Sequence, residues 1–430
     1  MKAIIEKLNY DGKGITRNKG VVTFISKVLP DEEIEYKILK EDKRYNIGKC
    51  LKIISKSPRR IESLCPYFND CGGCMFQNVS YNDSLMYKKD IFIDLLKRNN
   101  IAIKDLDIMG SSKPLGYRNK ITLKVENGSF GYYEEESHTF VNINKCLLAK
   151  DNINTLLEDL KEFNVLNGNI TIRSNYNDEL LIIIESITEP ILKEEVIHKH
   201  KIVGIIWNDK CLYGAPFFLE RTDNLIYKVH YNAFFQVNND ISYKIGEYIK
   251  PYFNKEDIVY DLYCGVGYFS LKLAKLVNKV YGIEVNPKAI IDAKYNADLN
   301  NLNNLSFHVG KVEDVIGKIN GNANKIIVDP PRAGLNKNVI KTFLQEDYDT
   351  IIYISCNKLT LVRDLKLLEY LALELNMPPA VINVLIDYVL RISDNKLNKA
   401  YVETIAGQWT RLGIKTAREA MNQAKKEYKK

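Results

Sequence analysis

Residues 1–57 alternate apolar and polar side chains in the manner of half-buried strands, as in Gly20-Val21-Val22-Thr23-Phe24-Ile25 and Glu33-Ile34-Glu35-Tyr36-Lys37-Ile38. Turn signals at Asp11-Gly12, Gly14, Lys19-Gly20 and Pro30-Asp31 separate them, and strands at this spacing predict a small OB-like β-barrel. From Tyr81 to Asn99 the period becomes that of an amphipathic helix, and residues 117–148 return to strand patterning around Gly128 and Gly131. The second half reads differently. Asp257-Ile258-Val259-Tyr260, Lys279-Val280-Tyr281-Gly282-Ile283, Ile326-Ile327-Val328 and Ile351-Ile352-Tyr353-Ile354 are short, nearly continuous apolar runs, the signature of buried parallel strands. A helix over Leu271–Val277 completes the first repeat, so the class is α/β with a parallel sheet. Near the C-terminus, Pro378-Pro379 suits a helix start, with Val381, Ile382, Leu385, Ile386, Val389 and Leu390 on one face. A second helix covers about Lys399–Leu412, Gly413 stops it, and Thr416 caps a third.

Chemistry concentrates where the apolar runs end, the edge at which open α/β sheets bind ligands. The first run leads into Asp261-Leu262-Tyr263-Cys264-Gly265-Val266-Gly267-Tyr268-Phe269-Ser270, and the second ends at Glu284. A glycine turn lets a ligand approach the backbone, and an acid ending the next strand can hold two ribose hydroxyls. Ser270 stands where a dinucleotide motif has its last glycine, which favours S-adenosylmethionine. Asp329-Pro330-Pro331-Arg332-Ala333-Gly334-Leu335 and Ser355-Cys356-Asn357 bring a carboxylate, an arginine and a thiol to the same rim. Upstream, Asn232-Ala233-Phe234-Phe235-Gln236-Val237-Asn238 sets amides beside aromatics, suited to cap an adenosyl group or stack on a base.

The chain has 430 residues, long enough for two to four domains, and 61 basic against 54 acidic residues give a net charge of +7. That mild excess is compatible with a polyanionic partner without establishing one. No apolar stretch follows Met1-Lys2 and no run reaches the ~18 residues of a membrane span, so the reading is cytoplasmic, with no membrane partner. Three of the eight cysteines cluster in Cys65-Pro66-Tyr67-Phe68-Asn69-Asp70-Cys71-Gly72-Gly73-Cys74, with Cys146 as the best fourth ligand. Thiolates so grouped suit zinc or an iron–sulfur cluster, and spacing leaves both open. Tyr117-Arg118-Asn119-Lys120 sets an aromatic beside two cations, for RNA or as a solvated strand end.

Together these motifs resemble the bacterial RNA uracil-5-methyltransferases that carry an iron–sulfur cluster, the 23S rRNA enzymes in particular. The likeness rests on the four cysteines, Phe235-Gln236-Val237-Asn238, Asp261–Phe269, Glu284, Asp329–Gly334, Ser355-Cys356-Asn357 and Thr360-Leu361-Val362-Arg363-Asp364-Leu365, and spans roughly residues 1–367. It implies a TRAM-type barrel over 1–57, a central domain with an iron–sulfur loop over 58–225, and an S-adenosylmethionine-dependent, Rossmann-like methyltransferase domain over 226–367. It further implies that Cys356 is the nucleophile and that Gln236, Tyr263, Glu284 and Asp329 contact S-adenosylmethionine. Cys65, Cys71, Cys74 and Cys146 are then ligands of a [4Fe–4S] cluster that has a structural or RNA-positioning role. A thiolate adding at C6 of uracil makes C5 nucleophilic enough to take a methyl group, and a base then removes the C5 proton. Asp329 or a neighbour would position that base, and Arg332 would support the loop or the developing charge.

The likeness stops after Leu365. The family's Phe-Pro…Thr-x-His-Val-Glu segment, whose glutamate is the expected proton acceptor, is missing, and Glu403 sits in a helical pattern instead. Residues 371–430 resemble the C-terminal helical domain of bacterial replication-initiation (helicase-loading) proteins, through Met377-Pro378-Pro379, Tyr401-Val402-Glu403-Thr404-Ile405, Trp409 and Gly413-Ile414-Lys415-Thr416. That resemblance implies DNA or replication-protein contact through the tail. Two functions follow: methylation of uracil C5 in RNA, foremost 23S rRNA, with its last step impaired; or a nucleic-acid-binding fusion without catalysis, an artefactual junction included.

Overall fold

The alternating N-terminal segment forms six strands: β1 (Lys2–Ile4), β2 (Lys7–Leu8), β3 (Gly14–Asn18), β4 (Val21–Ile25), β5 (Glu33–Glu41) and β6 (Tyr45–Ser55). They make one sheet in the order β1-β5-β6-β4-β3-β2, antiparallel except where β4 meets β6. The inward positions Ile25, Ile34 and Tyr36 close on Ile5 and Val28, as the period of two requires. The computed structural model describes residues 1–428 except 19, 102–105, 320, 344–347 and 370–398. Its contacts group the chain into two compact units, Met1–Glu220 with Gln236–Tyr243, and Arg221–Phe235 with Lys244–Lys430.

In the first unit, helix α1 (Tyr81–Arg98) starts at Ser80, whose hydroxyl accepts from the Asp83 amide. Then come β7 (Lys120–Glu126), β8 (Ser129–Tyr133), β9 (Phe140–Asn142), α2 (Asp151–Asp159), β10 (Gly168–Ser174), β11 (Leu180–Ser186), α3 (Glu194–Lys199), β12 (Ile202–Trp207) and β13 (Lys210–Gly214). The seven strands form a sheet ordered β13-β12-β11-β10-β7-β8-β9. Ile153, Leu156 and Leu157 of α2 bury one face of it against Ile170, Ile172, Ile182 and Ile184. The unit boundary falls within β14 (Phe217–Thr222), which pairs with β15 (Leu225–His230), and again within α4 (Asn239–Ile249).

The four apolar runs of the second half become strands within one or two residues of their predicted bounds. In the second unit β16 (Ile258–Leu262), α5 (Tyr268–Ala274), β17 (Lys279–Glu284), α6 (Pro287–Leu299), β18 (Leu305–Val309), α7 (Val312–Val315), β19 (Lys325–Val328), α8 (Lys337–Phe343), β20 (Thr350–Tyr353) and α9 (Lys358–Glu369) alternate as the sequence demands. The sheet runs β18-β17-β16-β19-β20, parallel throughout. Its order reverses beside β16, and such a switch point, at the carboxyl ends of β16 and β19, is where open α/β sheets bind ligands. Helix α5 begins three residues before the predicted Leu271, because Gly267 in the left-handed region (φ 85°) already caps it.

Two helices close the chain, α10 (Lys399–Arg411) and α11 (Ala417–Tyr428). The helix predicted from Pro378-Pro379 lies outside the described residues, as does the side chain of Glu403. Thr416 caps α11 as expected: its hydroxyl accepts from the Glu419 amide, while the Glu419 carboxylate accepts from Lys415 N and Thr416 N at 2.9 and 3.1 Å. Ile405, Ala406, Trp409, Ile414 and Ala420 lie buried in one apolar cluster with Leu262, Ile326, Val328, Leu335, Val339 and Phe343. The tail therefore shares the core of the parallel sheet. Among the described residues no helix is long and apolar enough to cross a membrane.

Candidate active site

Strand β16 delivers Tyr263, Cys264 and Gly265 to the switch point. Tyr263 sits in the left-handed region (φ 63°), a conformation rare for side chains other than glycine and concentrated at functional sites. Burial pushes its phenol up to about 12, with Glu313 adding to the effect. Glu284, at the end of β17, folds back over the turn: one carboxylate oxygen accepts from Gly265 N at 3.2 Å and the other from Asn286 N at 2.8 Å. Each oxygen keeps lone-pair capacity for a further donor, such as a ribose hydroxyl. A Cβ placed on Gly265 would meet nothing within 4 Å, so the turn faces open space where a ligand can approach the backbone.

Below this turn, Asp261 is buried and accepts from the Ser270 hydroxyl. Burial first, then Asp329 and Glu284, push its pKa up to about 7, against the opposing Ser270 bond. Three carboxylates thus converge at the ends of three adjacent strands. A raised folded-state pKa contributes stability at low pH that is lost as pH rises from the ordinary carboxylate range through about 7. Replacing Asp261 with Asn should therefore leave a variant whose Tm gains on the parent by a few °C between pH 5 and pH 8. Melting curves across that range check it, and a gap that stays constant or narrows contradicts the shift.

The Asp329 and Cys356 loops are fastened to one another. Ile354 N donates to Val328 O at 2.8 Å, carrying the register of β19 and β20 to their ends. Asn357 donates its side-chain amide to Arg332 O at 2.9 Å, and its Oδ1 accepts from Leu359 N at the start of α9. Asp364, almost fully buried, accepts from Leu335 N and from the Tyr353 hydroxyl, both at 2.9 Å. Gly334 (φ 79°) makes this fit possible: a Cβ there would lie 2.7 Å from the Asp364 carboxylate and 2.6 Å from Arg363 Nη2. Cys356, exposed on its loop, is thereby held beside the Arg332 loop.

Tyr263, Glu284, Asp329 and Cys356 thus stand at one edge of one sheet, as predicted. Gln236 belongs to the other unit, on a loop rather than a strand, and its carbonyl accepts from Asn119 Nδ2 at 2.9 Å. Sequence reasoning gave no role to Asp261 or Asp364. The signal for both was an acid at the end of an apolar run or inside a helix pattern, where a solvated carboxylate is the ordinary reading.

The four clustered cysteines also converge. Cys65, Cys71, Cys74 and Cys146 line one cavity of about 70 Å³ with Arg118 and Tyr132. Tyr67 O accepts from Cys71 N at 2.7 Å, Lys27 Nζ donates to Asn69 O and Cys71 O, and Asn154 brackets Cys146 through both its amide atoms. Gly72 lets the loop lie against β8, since a Cβ would come within 2.7 Å of Tyr133 O. Burial pushes the thiols of Cys65, Cys71 and Cys74 up. Among the described residues no group of three His, Cys, Asp or Glu is spaced to hold one metal ion. A cluster, whose irons each take a separate thiolate, tolerates a wider donor set. Arg118 Nε is buried there without an acceptor, and a bound anionic cluster would answer it. The donor set fits such a group.

A parallel sheet with this strand order, a glycine turn and an acid at the end of the second strand defines the class of S-adenosylmethionine-dependent methyltransferases. Pyrococcus abyssi tRNA (uracil-54, C5)-methyltransferase, solved with S-adenosyl-L-homocysteine, superposes with a TM-score of 0.71 at 25% identity, over 86% of this chain and 93% of that one. An uncharacterized RNA methyltransferase of Halalkalibacterium halodurans is 31% identical across 86% of this chain and 90% of its own length. One from Aquifex aeolicus is 31% identical across 94% and 97%. The tRNA (Uracil-5-)-methyltransferase family model matches residues 217–372, and the model for Replication initiation and membrane attachment matches 362–424. The chain belongs to the RNA methyltransferase family. The two matches overlap inside and just beyond α9, the helix that carries Asp364.

Proposed function

We propose that the chain methylates C5 of uracil in RNA through a covalent adduct on Cys356, with 23S rRNA as the foremost substrate and tRNA as the alternative. The fastening of the Cys356 loop to the Asp329–Leu335 loop, on the sheet edge that carries Glu284, is the observation that supports this most. S-adenosylmethionine supplies an electrophilic methyl group. Glu284 and the Gly265 turn would hold its ribose, and Tyr263 and Asp329 of the same unit would complete its contacts. The Cys356 thiolate adds to C6 of an unstacked uridine and makes C5 nucleophilic. After methylation a base removes the C5 proton, and the C6–S bond breaks to release the thiol. Asp329 is the carboxylate of this rim that would position the base, with Arg332 supporting the developing charge. Without the family's glutamate, release is the step expected to slow, by about 10²–10⁴-fold for a lost general base. Incubation with S-adenosylmethionine and unmodified 23S rRNA or tRNA should yield 5-methyluridine by nucleoside mass spectrometry. Bound RNA with no 5-methyluridine in either would overturn the reading in favour of a nucleic-acid-binding fusion.

Cys65, Cys71, Cys74 and Cys146 would hold a [4Fe–4S] cluster that braces the loop and supplies no redox step. Anaerobic purification should then give a brown protein with about four irons; a colourless, zinc-containing product would refute it. The tail carries the proposal of DNA or replication-protein contact on its polar faces only, because Ile405, Trp409 and Ile414 are buried within the unit. A cytoplasmic setting accords with an RNA substrate.

A further inference from the structure

Leu64, Met75 and Met109, with 75%, 41% and 47% of their surface exposed, line the same cavity in the first unit, which holds about 560 Å³. Apolar side chains gathered in the open mark binding surfaces more often than bare protein, and the volume lies within the roughly 300–1,000 Å³ of small-ligand sites. Two rings on its wall are fixed in place. Phe76 stacks on Tyr87 with centroids 5.9 Å apart, and the Tyr81 hydroxyl accepts from Ser111 N at 2.6 Å. Lys88, on α1, stands at the same cavity, where burial pushes its pKa down and a bound anion would favour the charged form. Among the described lining residues there is no aspartate or glutamate.

Flat rings set beside a cation with no competing acid match a nucleobase and its phosphate: any base offers a π-face to stack, and the phosphate a charge to pair. We propose that this cavity receives one unpaired nucleotide of RNA, its base against Phe76 and Tyr81 and its phosphate at Lys88. None of Cys356, Asp329 or Glu284 lines it, so this nucleotide is not the methylated one. The inference rests on the reading of RNA as substrate.

Fluorescence anisotropy on the full chain, with a labelled single-stranded RNA decamer and the same strand in duplex, tests it. Phe76→Ala should weaken single-strand binding about 5- to 100-fold. Lys88→Ala should lower the slope of log affinity against log salt by about 0.7. Leu64→Asp, an exposed position whose change spares the core, should weaken binding too while circular dichroism stays native. Native-like spectra with unchanged affinity and salt slope in all three variants would overturn the proposal while leaving RNA methylation standing. Equal losses on the duplex would reduce the surface to a general phosphate site and also overturn it. If the unsubstituted chain binds neither RNA, the substrate reading fails and this one with it.

Discussion

Replacing Trp409 with Ala should destabilise the second unit by about 3–5 kcal/mol, the usual cost of emptying a buried tryptophan site. Trp409 is fully buried, and its indole N–H points to the Glu427 carboxylate at 3.3 Å. It lies in one cluster with Leu262 and Val328, the core positions just before the glycine turn and Asp329. A cavity there loosens the ends of β16 and β19, so S-adenosylmethionine affinity should fall with stability. Trp409→Phe keeps most of the apolar volume and should cost less. Urea unfolding and calorimetric titration of the full chain measure both. A passenger tail would behave otherwise: the midpoint would not move, and deleting residues 399–430 would leave cofactor binding intact. The expected result of that deletion is instead an aggregating protein, because it bares Phe343, Ile340 and Val339.

Cys356→Ala should abolish the denaturant-stable adduct with 5-fluorouridine RNA and lower methyl transfer by at least about a thousandfold. The side chain is exposed and the loop is fastened by its neighbours, Asn357 to Arg332 O and Ser355 to Asn357 N. Stability should stay within about 0.5 kcal/mol of the parent, as for most surface substitutions, so a loss of adduct reports chemistry rather than unfolding. Fluorine at C5 cannot leave as a proton, and the trapped species therefore tests addition and methylation without needing the base. With ordinary uridine the parent tests the last step: an adduct that accumulates there would locate the slow step at proton removal. Persistence of the fluorouridine adduct in the alanine variant would remove Cys356 as nucleophile.

Strand and helix positions were legible wherever neighbours in sequence decide them. Four apolar runs specify buried parallel strands, Gly265-Val266-Gly267 specifies the turn after the first, and Thr416 with Glu419 specifies a helix start. Residue types likewise marked the rim: Glu284, Asp329 and Cys356 each follow such a run, and a parallel sheet necessarily gathers strand ends along one edge. The same reading set the helical tail apart, since the fragment carries its own caps and its own apolar face.

What α10 would cover was not in the local pattern. Ile405, Ala406 and Trp409 were equally suited to pack on one another, on a partner, or on the sheet, and only the three-dimensional arrangement chose the sheet. Asp364 shows the same limit at one residue. Its partner Leu335 lies 29 positions upstream, and nothing in either segment announces a bond made by packing α9 against the β19 loop. Asp261 reads as an ordinary strand residue until burial and two carboxylates meet it. Sequence by itself determined the elements, the class and the reactive residue types, because those follow from period, turn chemistry and strand direction. Tertiary structure alone decided how the loops lock, which acid resists ionisation and where the tail is buried, because those depend on distances between residues far apart in the chain.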